Sequence, residues 1–175
     1  MKLLFKLGVL VLAVVLGFVV CVLVIGYNLP VEHHATRSIL LHQTPAEVYA
    51  AVRDFESVPT WFYDVTQVVV EKQTDGKIHF RQEGKNGTIN YELVDDVPST
   101  RIVTRILDRD LGFSGSWTYN IVAEGSGTRV SITEDGQISN IVFRFASRYV
   151  FGYTATMDSY LVSLARRFGE TSTPQ

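Results

Sequence analysis

The chain has a single cysteine, Cys21, and it lies inside the longest apolar run. An intrachain disulfide and a zinc site built on two or more thiolates are therefore excluded. Runs of lysine or arginine are also missing. With 16 basic and 18 acidic residues the formal net charge is -2, which leaves no electrostatic footprint for DNA or RNA. No G-x-S-x-G elbow, phosphate-cradling glycine loop or H-E-x-x-H pair occurs. The four histidines, His33, His34, His42 and His79, have too few ligand-type neighbours for a metal site. No metal, cofactor or nucleic-acid partner is expected.

The most distinct segment present is LGVLVLAVVLGFVVCVLVI, Leu7 to Ile25, which holds no charged side chain. As a helix rising ~1.5 Å per residue it is about 28 Å long, close to the hydrocarbon thickness of a bilayer. A cleaved signal peptide is the competing reading, because Lys2 and Lys6 form a basic leading region. The run is longer than the usual ~7–15 residues, however, and no A-x-A-like site stands near Tyr27 to Pro30. A retained membrane anchor through residues 7–25 is expected. The two lysines favour a cytoplasmic N-terminus and a domain on the extracytoplasmic side.

The remaining chain divides into a linker (28–34, with His33 and His34 in solvent), a domain (35–170) and a polar tail (171–175), after an anchor spanning 1–27. ATRSILLH, Ala35 to His42, reads as a strand. Thr44 as N-cap, Pro45 at the first helical position and Glu47 three residues after the cap start a short helix. Its exit loop holds Phe55, Val58, Pro59, Trp61, Phe62 and Tyr63, more large apolar groups than a surface connection needs. Period-two segments follow, divided by the turns TDGK, KNGT, DDVPST and EGSGT. His79 falls on the outward face of its strand by this alternation. From Asn140 to Glu170, Val142, Ala146, Tyr149, Tyr153, Met157, Tyr160, Leu164 and Phe168 recur at spacings of three and four, which predicts one long helix. Arg144, Arg148, Asp158 and Arg166 lie off that stripe. The expected architecture is α+β. A curved antiparallel sheet of about six to seven strands wraps one long C-terminal helix, and the space between them is a usual place for a small ligand.

The succession Ser38-Ile-Leu-Leu, Pro45-Ala-Glu-Val48-Tyr49, Asp54-Phe55 and Val58-Pro59-Thr60-Trp61, then turn-rich strands and a final helix, resembles the START-like superfamily. This group, with the helix-grip or SRPBCC fold, includes polyketide cyclases, lipid-transfer domains and coenzyme Q-binding proteins. The resemblance covers about Ala35 to Glu170 and implies a cavity for a hydrophobic molecule such as a lipid, a quinone or a polyketide-like compound. The N-terminal anchor departs from the usual soluble member.

The ligand-lining candidates are Trp61, Phe62, Phe80, Tyr91, Trp117, Tyr119, Tyr149, Tyr153, Met157 and Tyr160. Glu134 and Gln82 fall on the inner face if the alternation holds. A buried carboxylate must be paired, protonated or in reach of water. They are therefore the candidates for a polar handle on the ligand, or for an acid or base in a cyclase- or dehydratase-like reaction. The expected function is a non-catalytic, membrane-anchored ligand-binding domain. A cyclase-like enzyme and a membrane-tethered protein-interaction module, its partner unknown, are the alternatives.

Overall fold

A computed structural model describes residues 2–175. The first helix, α1 (Lys2–Asn28), is long and apolar enough to cross a bilayer or to serve as a signal sequence, and its apolar window is fully exposed. β1 (Glu32–Leu41) follows after only three residues, starting ahead of the expected strand. The polar pair His33 and His34 therefore lies in a strand, not in a solvated linker.

α2 (Pro45–Arg53) begins as its residues dictate. The Thr44 hydroxyl accepts from the Glu47 amide and the Glu47 carboxylate accepts from the Thr44 amide, a reciprocal cap with proline in the first turn. The aromatic exit loop forms a 3-10 turn over Phe55–Thr60. Six strands come next: β2 (Val65–Lys72), β3 (Ile78–Gly84), β4 (Gly87–Val97), β5 (Arg101–Ile106), β6 (Phe113–Glu124) and β7 (Gly127–Ile138). All neighbours pair antiparallel in the order β1-β7-β6-β5-β4-β3-β2, so the first strand closes onto the last.

β4 runs through Asp95 and Asp96, which the sequence assigns to a turn. A register shift between Leu93 and Asp95 absorbs one residue. Downstream of it Asp96 meets α2, accepting from Tyr49 Oη and from Arg53 Nε at 2.7 Å. The actual turn is tighter, with Ser99 in the left-handed region at φ 60°.

The expected single C-terminal helix is three pieces. α3 (Ile141–Ala146) passes into a π-helical segment, Ser147–Phe151, and the chain then breaks at Gly152, φ 79°, before α4 (Ala155–Arg167). Glycine is the residue that reaches this conformation without a Cβ penalty, and it ends a helix readily. The two halves of the apolar stripe face different surroundings. On α4, Met157, Tyr160, Leu161 and Leu164 are buried against the sheet, where they join Val48, Val52, Ile102, Val130 and Ile132 in the core. On the other half, Tyr149 is 59% exposed.

The C-terminal tail is held down. The Ser38 and Gln175 backbones exchange hydrogen bonds of 3.0 and 2.8 Å, and Arg37 donates to the Pro174 carbonyl. Arg37 also reaches across to Asp158 of α4 at 2.5 Å, pinning the helix to the sheet edge.

The divided stripe has a measurable signature. Tyr160→Ala should cost roughly 3–5 kcal/mol in urea unfolding, as for other large buried aromatics. Tyr149→Ala, on an exposed turn, should stay within about 0.5 kcal/mol of the parent. Equal costs would restore a single continuous helix.

Candidate functional site

Alternation along the strands directs Phe80, Gln82, Ile89, Tyr91, Leu93, Trp117, Tyr119, Ile132 and Glu134 to the face under α4. Tyr160 reaches into the middle of that face. Its ring centroid lies 5.1 Å from Trp61, 5.4 Å from Phe62, 5.9 Å from Trp117 and 5.6 Å from Tyr119, mostly edge-on. Such arrangements are favourable beyond the area they bury. A second stack runs from Phe55 to Phe80 at 4.3 Å and on to Tyr91 at 5.0 Å. The rings from strand, loop and helix thus fill much of the space in which an open cavity was expected.

They do not seal the face completely. Phe62, Phe80, Tyr119, Met157 and Tyr160 are buried, whereas Val68, Val70, Tyr91, Leu93, Trp61 and Trp117 remain partly accessible. Val68, Val70, Tyr91 and Leu93 give an apolar, aromatic surface on the β2–β4 side, with Trp61 from the loop and Trp117 from β6 beside them. The Arg167 guanidinium lies 5.4 Å from the Trp61 ring centroid and donates to Ser57 Oγ at 3.0 Å, holding the aromatic loop beside α4. Arg166 donates to Tyr63 Oη. These two arginines hold the aromatic loop against α4.

At the other end of the face, next to the helix break, stands a polar group in apolar surroundings. Glu134 Oε2 accepts from Trp117 Nε1 at 2.6 Å, and Oε1 lies 2.8 Å from His33 Nε2. The His33 side chain is only 9% exposed. Its ring stacks on Tyr153, centroids 4.6 Å apart and 13° from parallel. The seat for that ring is Gly136, directly opposite His33 in the β1–β7 register. A Cβ on Gly136 would fall 2.2–3.0 Å from the imidazole, so glycine is what lets the histidine lie flat on the sheet. With Nε2 engaged, His33 Nδ1 is buried and has no protein partner.

Of the expected site residues, the fold brings Trp61, Phe62, Phe80, Tyr91, Trp117, Tyr119, Met157 and Tyr160 to one face, with Tyr153 at its end. Met157 is wholly buried and acts as core. Tyr149 does not belong: it sits on the π-helical segment against Phe145, outside the site. Gln82 faces inward, with β4, β5 and β6 between its strand and that of Glu134. His33 and Gly136 are site residues that the sequence reading omits. A signal existed, since the alternation Leu41, Ile39, Arg37, Ala35 extends back to His33 in the same phase.

Burial pushes the phenols of Tyr119 and Tyr160 well above their ordinary range. Tyr91 is raised for the same reason first, then by the negative charges of Glu134 and Asp108. The site therefore presents neutral phenols, hydrogen-bond donors and acceptors without charge, around one paired carboxylate.

This arrangement of a curved sheet gripping a terminal helix has counterparts. Residues 32–169 match the family described as polyketide cyclase / dehydrase and lipid transport, and the chain belongs to that family. No curated protein matches it significantly. Among solved structures, it is similar to a START superfamily protein from Mycobacterium smegmatis, with 17% identity, a TM-score of 0.62, and coverage of 77% of this chain and 96% of that one. It is similar also to the Zhui aromatase/cyclase from Streptomyces sp. R1128, with 14% identity, a TM-score of 0.61, and coverage of 78% and 96%. A third is the di-domain aromatase/cyclase StfQ of the steffimycin biosynthetic pathway, at 14% identity and a TM-score of 0.62 over 79% of this chain, which spans only 52% of StfQ. At these identities the likeness establishes the fold.

The raised phenols set an alkaline limit. Below pH about 10 the tyrosines are neutral in both folded and unfolded chains; above it the unfolded chain ionises first, so stability falls as pH rises from about 10 toward the folded values. Phenolate absorbance from the buried tyrosines should appear together with the loss of near-ultraviolet circular dichroism. Complete titration of all eight tyrosines before any unfolding would contradict their burial.

Proposed function

We propose that the chain is a membrane-anchored domain that binds a hydrophobic small molecule, of lipid, quinone or polyketide-like character, between the sheet and α4. The observation that carries this reading is the pairing of two unlike surfaces on one face. Partly accessible apolar and aromatic residues, Val68, Val70, Tyr91, Leu93 and Trp117, lead to a single carboxylate, Glu134, held by His33 and Trp117. An amphiphile with one polar end and a flat or oily body matches that polarity. The guest lies over the accessible β2–β4 side, and the edge-on rings around Tyr160 shift to admit it. The lipid-transport part of the family description supports the same ligand class.

The anchor is α1, with Lys2 and Lys6 holding its N-terminus on the cytoplasmic side and the domain emerging on the other. Such a tether confines the domain to molecules that reach the membrane surface.

A second reading, catalysis, is favoured by one specific feature. His33 Nε2 faces Glu134 and Nδ1 is buried without a protein partner; in the tautomer that donates from Nε2, Nδ1 is the acceptor of the ring and is suited to take a proton from a bound guest. Binding that survives His33→Gln while turnover of a polyketide-like substrate is lost would favour this reading over simple binding.

Full-length protein purified in mild detergent should carry a co-purifying hydrophobic species detectable by mass spectrometry, and should take up fluorescent fatty-acid or quinone analogues. Glu134→Gln removes the negative charge offered to the polar end of the guest, where a charge-assisted hydrogen bond is worth about 1.5–3 kcal/mol, and should weaken uptake at least roughly tenfold. No bound species, no uptake and no effect of Glu134→Gln would refute the proposal.

A further inference from the structure

The first half of the broken C-terminal helix is not accounted for by the ligand site. α3 docks chiefly on the end of α1, and touches the sheet only at the strand ends, where Phe143 lies 5.6 Å from Phe113 of β6. Gly26 of α1 meets Ile141 so closely that a Cβ there would lie 2.4 Å from the Ile141 carbonyl oxygen. Arg144 then fastens the corner. Its buried guanidinium donates to the carbonyls of Gly26 at 3.2 Å, Leu29 at 3.0 Å, Ile138 at 2.9 Å and Ser139 at 3.2 Å. The last carbonyls of a helix lack intrahelical partners and carry partial negative charge, so a cation there satisfies and stabilises them. The arginine that the sequence places on a solvated face is thus a bracket between the anchor and this segment.

What the bracket presents is apolar. Val142, Tyr149, Val150 and Phe151 are 54%, 59%, 66% and 62% exposed, and Phe143 is exposed beside them. An open apolar depression of about 440 Å³, lined by Leu111, Phe113, Val142, Phe143 and Ala146, continues the same surface. A water-soluble domain rarely leaves such a contiguous patch uncovered without a partner for it. Its position identifies the partner. The patch hangs from the last turn of α1, immediately after the apolar run ends at Ile25, which is the depth of the headgroup and upper acyl region if α1 spans the bilayer. Its aromatic and aliphatic content, with exposed Arg148 among them, is that of an interfacial element.

We infer that the segment 141–151 inserts its apolar side chains into the bilayer surface beside the anchor, so that the domain lies on the membrane rather than swinging from a tether. The inference rests on α1 being a retained transmembrane anchor. It places the His33–Tyr153 end of the candidate site next to the lipid, because only Gly152 separates Tyr153 from the inserted segment.

The test uses the full chain in phospholipid nanodiscs, in a Cys21→Ser background, with an environment-sensitive fluorophore at one introduced cysteine. Val14→Cys reports on the anchor, Phe151→Cys on the inserted segment, and Ser126→Cys on the opposite end of the sheet. Lipids carrying a shallow nitroxide quencher should quench the label at 151 several-fold more than the label at 126, and its emission should shift to the blue. Adding Gly26→Leu, which forces α3 off α1, should abolish that difference. Strong quenching at 14 from deep nitroxides with the label at 151 behaving like that at 126 would overturn the insertion and leave the anchor standing. Loss of quenching at 14 would overturn the anchor and the insertion with it.

Discussion

The inner face of a seven-stranded antiparallel sheet must be covered, and in this protein the cover is short. α4 has 13 residues, and with α2 and the aromatic 3-10 turn it is what lies over that face. Tyr160 carries much of the burden, since its ring touches Trp61 and Phe62 of the loop and Trp117 and Tyr119 of β6. Everything proposed about the site follows from this partial cover: a helix long enough to fill the whole face would leave no accessible aromatic wall on the β2–β4 side.

The shortness of α4 has a cause outside the domain core. The chain docks α3 on the end of α1, continues through the exposed segment 147–151, and is redirected toward the sheet at Gly152. One continuous apolar stripe in the sequence therefore serves two surfaces, one facing the protein interior and one facing outward beside α1. The polar cluster of His33, Glu134 and Trp117 sits where those two surfaces meet. Its carboxylate is satisfied by two donors, which is the condition for keeping such a group among aromatic rings.

Much of this was legible in the residues. The reciprocal cap at Thr44 and Glu47, the turns at Asp75-Gly76 and Asn86-Gly87, and the period-two strands all encode local structure, and local chemistry decides them. The inward direction of Trp117, Tyr119 and Glu134 follows from the same alternation. Three features resist such reading because they depend on contacts distant in sequence. The helix break is invisible to periodicity, which counts the spacing of apolar residues but not what they face; Tyr149 and Tyr160 look alike on that measure. Arg144 is buried only because the carbonyls of Gly26 and Leu29 arrive beside it. His33 reads as linker until β7 brings Gly136 beneath it, although its phase with Ile39 and Leu41 carried the hint.

Trp61 and Trp117 are the only tryptophans in the chain, and both belong to the candidate site, so selectively excited tryptophan fluorescence reports on that site. Titration of the full-length protein with a brominated fatty acid or a short-chain quinone measures occupancy directly. A guest held between sheet and α4 gives saturable quenching that is competed by the unbrominated analogue and reduced in Trp117→Phe. Quenching that rises linearly without saturation, unaffected by competitor, would contradict a binding site on this face.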